Sequence, residues 1–96
     1  MAAWWWVYLA RCADDSLYCG IARDVAARIA EHDAGLGARY TRGRGPLAVV
    51  ATKRFRTKGR ALRVEHAVKQ LTRSEKLAVT DATLERIARR LRPASV

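Results

Sequence analysis

The chain reads as an α+β domain, a three-stranded, mainly antiparallel sheet flanked by helices in the order β-β-α-β-α-α with a further C-terminal helix. Three observations predict it. Residues 4–12 and 17–21 are aromatic and aliphatic runs separated only by the turn formers Ala13-Asp14-Asp15-Ser16, the pattern of a β-hairpin. Residues 47–55 form a third run, apolar at successive positions before the charges return. The other apolar residues recur at the three- and four-residue spacing of helices. A chain of 96 residues holds one hydrophobic core, so one folding unit is expected.

The elements follow in order. Asp24 can cap a helix over 24–33, where Val25 and Ile29 make an i,i+4 apolar pair and Ala26, Ala27 and Ala30 raise helix propensity. Residues 34–46 hold Gly35, Gly37, Gly43 and Gly45 among Arg39, Tyr40, Thr41, Arg42 and Arg44, which predicts a long basic loop without regular structure. The third strand is apolar on both sides, as a central strand would be. Helical spacing over 60–71 places Ala61, Leu62, Val68 and Leu71 inward, and Thr72-Arg73-Ser74-Glu75 is a capping box that starts a third helix. Asp81 is expected to cap the last helix, with Leu84, Ile87, Ala88 and Leu91 inward, Arg86, Arg89 and Arg90 outward, and Pro93 as its stop. Residues 1–80 then form the body, and 81–96 a basic amphipathic helix packed on it.

Charge narrows the partner. The net charge is +10, carried by 15 arginines and four lysines. From Asp33 to Glu65 there is no carboxylate, but there are nine cations: Arg39, Arg42, Arg44, Lys53, Arg54, Arg56, Lys58, Arg60 and Arg63. A one-sign block of this length predicts a continuous positive surface and a polyanionic partner, nucleic acid. The longest apolar run, residues 2–10, is far short of the roughly 20 residues a membrane helix needs and has no basic leader, so a cytoplasmic protein without a membrane role is expected. Cys12 and Cys19 are too few for a disulfide framework and lack zinc-site spacing, so they should be buried thiols. No glycine-rich phosphate loop of the Walker or dinucleotide type occurs.

Some residues can carry chemistry. Tyr8 and Tyr18 stand on neighbouring strands of the hairpin. With a two-residue turn at Asp14-Asp15, position i faces 29 minus i and the two phenols lie on opposite faces of the sheet. With an odd loop such as Asp14-Asp15-Ser16 the sum is 30, and both share a face with Cys12 and Gly20. The sequence leaves both registers open, and shared chemistry requires the odd one. Arg28 and His32, at i,i+4, project from one helical face. Glu65 borders the apolar stripe of its helix, where a carboxylate needs a partner. That partner is either Lys69, at i+4, or a metal ion.

Trp6-Val7-Tyr8, Tyr18-Cys19-Gly20, the helix bearing Arg28 and His32, the segment Ala38-Arg39-Tyr40-Thr41-Arg42, and Leu62-Arg63-Val64-Glu65 with Val68-Lys69 together resemble the GIY-YIG nuclease family over about residues 4–80. The similarity is greatest to its small, stand-alone bacterial members. The chain departs from the pattern at Trp6, Val7 and Cys19, and the asparagine that many active members carry after the Glu helix has no counterpart, since the sequence contains no Asn. The resemblance implies a phosphodiester-hydrolysing endonuclease with Tyr8, Tyr18, Arg28, His32 and Glu65 as its catalytic set. It also implies one Mg²⁺ or Mn²⁺ ion on Glu65, and Arg28 clamping the phosphate. A phenol is the general base, assigned to Tyr8 although Tyr18 could exchange with it, and His32 bonds a tyrosine or relays its proton. Arg39, Tyr40, Arg42 and Lys69 are expected to grip the flanking nucleic acid, Tyr40 by stacking on a base. DNA is favoured over RNA, with recognition by structure rather than sequence, in repair or nucleic-acid processing, and no obligate protein partner is implied. The other reading is a nucleic-acid-binding protein that keeps the fold without the chemistry. The full five-residue set separates the two, because phosphate binding has no use for Glu65.

Overall fold

The computed structural model describes residues 4–91. Its elements are β1 (Trp5–Arg11), β2 (Leu17–Ala22), α1 (Val25–Asp33), a 3-10 turn (Arg39–Thr41), β3 (Ala48–Phe55), α2 (Lys58–Lys69), α3 (Arg73–Leu77) and α4 (Asp81–Arg90). This is the expected α+β architecture. The 3-10 turn falls in the loop that the glycines mark as irregular.

The hairpin register decides the chemistry available to it. Cys12 N–H donates to Ser16 O at 2.8 Å and Asp15 N–H to Cys12 O at 3.0 Å, closing a three-residue loop of Ala13, Asp14 and Asp15. Asp15 sits at φ 65°, a left-handed conformation that a short polar side chain tolerates. Tyr8 pairs with Gly20 and Ala10 with Tyr18, so partner numbers sum to 28. The loop is odd, but it lies one residue earlier than Asp14-Asp15-Ser16. Tyr8, Tyr18 and Gly20 therefore share one face of the sheet, and Val7, Leu9, Cys19 and Ile21 the other.

The strand order is β2-β1-β3, with both pairings antiparallel. This corrects the assignment of residues 47–55 as a central strand: β1 is central and β3 an edge. Its apolar run misleads because a bulge opposite Leu9 and Ala10 leaves Val50 without a partner, and Val49 and Val50 are 42% and 38% exposed. The open edge is blunted by Asp81, whose carboxylate accepts the Thr52 N–H at 2.8 Å.

Each face of the sheet is covered differently. On one, α2 and α4 contribute Ala61, Val64, Val68, Leu84 and Ala88 to a core with Val7, Leu9, Cys19, Ala51 and Phe55. On the other, Val25 and Ile29 of α1 pack against Tyr8, Ala10, Cys12, Ala22 and Leu47. The inward stripe of α2 is Ala61, Val64 and Val68; Leu62, expected inward, is 43% exposed. Thr57 caps α2, so the helix starts at Lys58, earlier than its apolar spacing suggests. The Thr72 capping box forms as expected. Thr80 caps α4, with Thr83 completing the box, which frees Asp81 for the β3 edge. Leu84 and Ala88 are buried as expected, whereas Leu91 is 36% exposed. Pro93 lies outside the described residues. Both cysteines are free and buried. Among the described residues no helix is long and apolar enough to cross a membrane.

Candidate active site

Tyr8 and His32 are fully buried, and the phenol oxygen lies 2.8 Å from Nε2 of the imidazole. The network assigns the protons. Thr41 Oγ1 donates to Ala38 O at 2.8 Å, so it is free to accept from Nδ1–H of His32 at 2.7 Å. The Ala38 N–H approaches the same nitrogen only at 3.4 Å. Nε2 is then the bare nitrogen that accepts the Tyr8 hydroxyl proton. Burial, followed by the Arg28 guanidinium, holds His32 below its usual pKa, with Glu31 and Asp33 partly opposing. Burial and then the Tyr18 phenol push Tyr8 well above the ordinary phenol range, with Arg28 opposing. Both groups stay neutral near pH 7, as their hydrogen bond requires.

Two glycines make this packing possible. A Cβ on Gly20 would stand 2.7 Å from the Tyr8 hydroxyl oxygen, so only glycine lets Tyr8 lie across β2. A Cβ on Gly37 would meet the His32 ring, 2.7 Å from Cγ, so the basic loop can close over the imidazole only with glycine there.

Tyr18 is half-buried and completes the patch, 6.2 Å from the Tyr8 ring and 5.0 Å from the His32 ring between centroids. Tyr40 stacks on its outer side at 6.0 Å and 26°, with the Arg44 guanidinium 4.4 Å above the Tyr40 ring. Arg44 is tied to the hairpin turn by Asp14 at 2.6 Å and by its carbonyl, which accepts the Ala13 N–H at 2.7 Å. These contacts latch the basic loop to the hairpin. Arg28 is half-buried beside Tyr8 and His32, and ion-pairs with Glu31 at 3.5 Å. Arg39 and Arg42 are exposed on the loop.

Glu65 is placed differently. It belongs to α2, on the opposite face of the sheet, and its side chain is 17% exposed with Lys69 Nζ at 3.5 Å. Its carboxylate and burial together push the Cys19 thiol up to about 12, burial being the larger cause. Lys69 in turn lines a cleft of about 330 Å³ with Leu17, Tyr18, Cys19, Tyr40 and Lys76. The route from Glu65 to Tyr18 thus runs around the exposed edge of β2. The structure brings Tyr8, Tyr18, Arg28 and His32 together, while Glu65 bonds to none of them. Among the described residues no three His, Cys, Asp or Glu side chains cluster as metal ligands. A single half-buried carboxylate does not suit zinc but fits a hard divalent cation that keeps most of its water, such as Mg²⁺ or Mn²⁺.

Sequence reasoning missed Asp14, Gly37, Thr41 and Arg44 as parts of this site. Only Thr41 offered a signal, by its place between Tyr40 and Arg42; the others act through contacts distant in sequence. The expected continuous positive surface is also divided. Arg44 sits at Tyr40, whereas Arg54 and Arg56 gather on Trp4 and Lys58 on Trp5.

Residues 4–78 match the family model described as the GIY-YIG catalytic domain. The chain belongs to the GIY-YIG family. Among its relatives, a UPF0213 protein of Natronomonas pharaonis is 51% identical over 76 residues, covering 79% of this chain and 89% of that one. A UPF0213 protein of Cupriavidus necator is 49% identical over 74 residues, 77% of this chain and 80% of the relative. The solution NMR structure of UPF0213 protein BH0048 from Bacillus halodurans is 47% identical, covers 77% of this chain and 79% of its own, and has a TM-score of 0.50. The solution NMR structure of EF2693 from E. faecalis is 31% identical with a TM-score of 0.54, over 95% of this chain and 91% of that one. GIY-YIG domains are nuclease domains, so this chain comes from a family that acts on nucleic acid, typically with a divalent metal. The two motifs that name the family are Trp6-Val7-Tyr8 and Tyr18-Cys19-Gly20 here, and both tyrosines face the same side of the sheet.

Proposed function

We propose that this GIY-YIG protein is a metal-dependent endonuclease that hydrolyses phosphodiester bonds in DNA in preference to RNA, recognising strand structure rather than sequence, in repair or nucleic-acid processing in the cytoplasm. The observation that carries the proposal is the convergence of Tyr8, Tyr18, Arg28 and His32 on one face of the hairpin and α1. Hydrolysis requires a water in line with the leaving oxygen, neutralisation of the non-bridging oxygens and stabilisation of the departing alkoxide. Arg28 supplies the second by clamping the phosphate, and Arg39, Tyr40, Arg42 and Lys69 hold the strand on either side. For the first we assign Tyr18. Tyr8, the base expected from the sequence, is fully buried with its hydroxyl on His32, whereas Tyr18 lines the cleft and meets solvent. Tyr8 and His32 then fix the Tyr18 ring from behind. A divalent cation held by Glu65 would supply Lewis-acid stabilisation of the leaving oxygen. Residues 1–80 carry the chemistry in this scheme, and α4 braces them by burying Leu84 and Ala88.

A second reading rests on the Glu65–Lys69 ion pair, which satisfies the carboxylate without any metal. In that reading the protein binds nucleic acid and retains the fold without cutting. End-labelled single-stranded, branched and duplex DNA and RNA, incubated with the protein in Mg²⁺, Mn²⁺ or EDTA, separate the two. We expect cutting that needs the divalent ion, is greater on DNA, and is lost in Glu65→Ala while binding persists. Binding without cutting under every condition, unchanged in Glu65→Ala, would establish the second reading.

A further inference from the structure

The catalytic patch leaves a second basic feature unused. At the start of β1, the Arg54 and Arg56 guanidinium groups lie 4.2 and 4.8 Å from the centroid of the same ring, Trp4. Trp4 and both arginines line a groove of about 430 Å³ that continues past Arg60 to α4. Glu85 is the groove's one carboxylate, and Lys53 at 2.7 Å and Arg89 at 3.6 Å already neutralise it. Among the described residues neither Arg54 nor Arg56 has an ion-pair partner, and both are exposed.

Two like charges held against one ring repel each other unless an anion comes between them. Stacking also restrains each guanidinium while leaving its in-plane N–H donors free, so little side-chain entropy remains to be lost when a phosphate docks. The register places this feature on the catalytic face. Trp6 pairs with Arg54 and Tyr8 with Thr52, so Arg54 and Thr52 lie on the Tyr8 side of the sheet, with Trp6 between Tyr8 and Trp4 along β1. Trp6, Thr52 and Arg23 line a shallow depression along that path.

We propose that the Trp4 groove is a second nucleic-acid site, in which Arg54 and Arg56 hold phosphates of the strand that leaves the catalytic patch across Trp6. The proposal rests on nucleic acid being the substrate of that patch, and its test is chosen to stand apart from cleavage. The measurement is the affinity for a fluorescent single strand of about 30 nucleotides, longer than the ~16 that one small domain covers at a single face. It is made in EDTA across a salt series, for the wild type, the Arg54→Ala/Arg56→Ala double variant and Trp4→Ala.

We expect the double variant to bind at least about tenfold more weakly, with the salt slope reduced by about two, one for each lost phosphate contact. Trp4→Ala, which keeps both charges but frees them from the ring, should weaken binding less and leave the slope almost unchanged. Affinity and slope in the double variant equal to the wild type would overturn the groove, whether or not the protein cuts. A wild type that never cuts but binds through these arginines would overturn the nuclease reading and uphold the groove.

Discussion

The buried chain from Tyr8 through His32 and Thr41 to the Ala38 carbonyl holds only while the imidazole is neutral, because Nε2 must accept the phenol proton. Since the folded-state pKa of His32 lies below the ordinary 6.5, the unfolded chain binds the proton more readily. The stability this contributes is fully present above 6.5 and is lost as pH falls from there through the depressed folded value. Thermal unfolding followed from pH 7.5 to 5 should show the midpoint falling in the wild type and falling less in His32→Gln; equal slopes would count against a neutral His32. Gly20→Ala tests the packing around the same phenol. With a Cβ 2.7 Å from the Tyr8 hydroxyl oxygen, it should cost about 1–3 kcal/mol in urea denaturation. At this scale the sequence identified Tyr8, Tyr18, Arg28 and His32 as one group and tied their cooperation to hairpin parity. It could not show which phenol is buried, because the cover over Tyr8 comes from His32 of α1 and that over His32 from Gly37 and Thr41, all remote from β1 in the chain.

Among the elements, α1 and α3 formed where their capping residues, Asp24 and Thr72, predicted. The edge role of β3 was hidden because an apolar run records only that side chains avoid water, not how many neighbours the strand has. In α2 the apolar spacing admitted two stripes, and the sheet selected the one through Val64 over the one through Leu62. The same helix offers a prediction of opposite sign to Gly20. Gly59 lies in its first turn with nothing within 4 Å of an added Cβ. Gly59→Ala should therefore raise stability by about 0.4–1 kcal/mol, chiefly by restricting the unfolded chain. A loss of stability in urea denaturation would mean that the first turn of α2 has a contact not accounted for.

As a whole the molecule is a thin plate, 46 × 35 × 19 Å, with its sheet shared by two cores. The α2–α4 side holds most of the apolar burial and the α1 side holds the polar network, so stability and chemistry are largely separated by the sheet. Glu65 crosses that division, joining the site from the stabilising side around the β2 edge. The charge block between Asp33 and Glu65 was legible as a nucleic-acid footprint, but folding sent its two ends to different parts of the plate, which a linear count of cations cannot register. The account stands or falls on Tyr18 as the phenol that meets the reacting water. Its most direct test is the single-turnover cleavage rate of Tyr18→Phe in Mg²⁺ or Mn²⁺, with affinity for the same oligonucleotide measured in EDTA. Loss of at least about a hundredfold in rate with affinity unchanged is the predicted result; a Tyr18→Phe protein that cuts at the wild-type rate would contradict it.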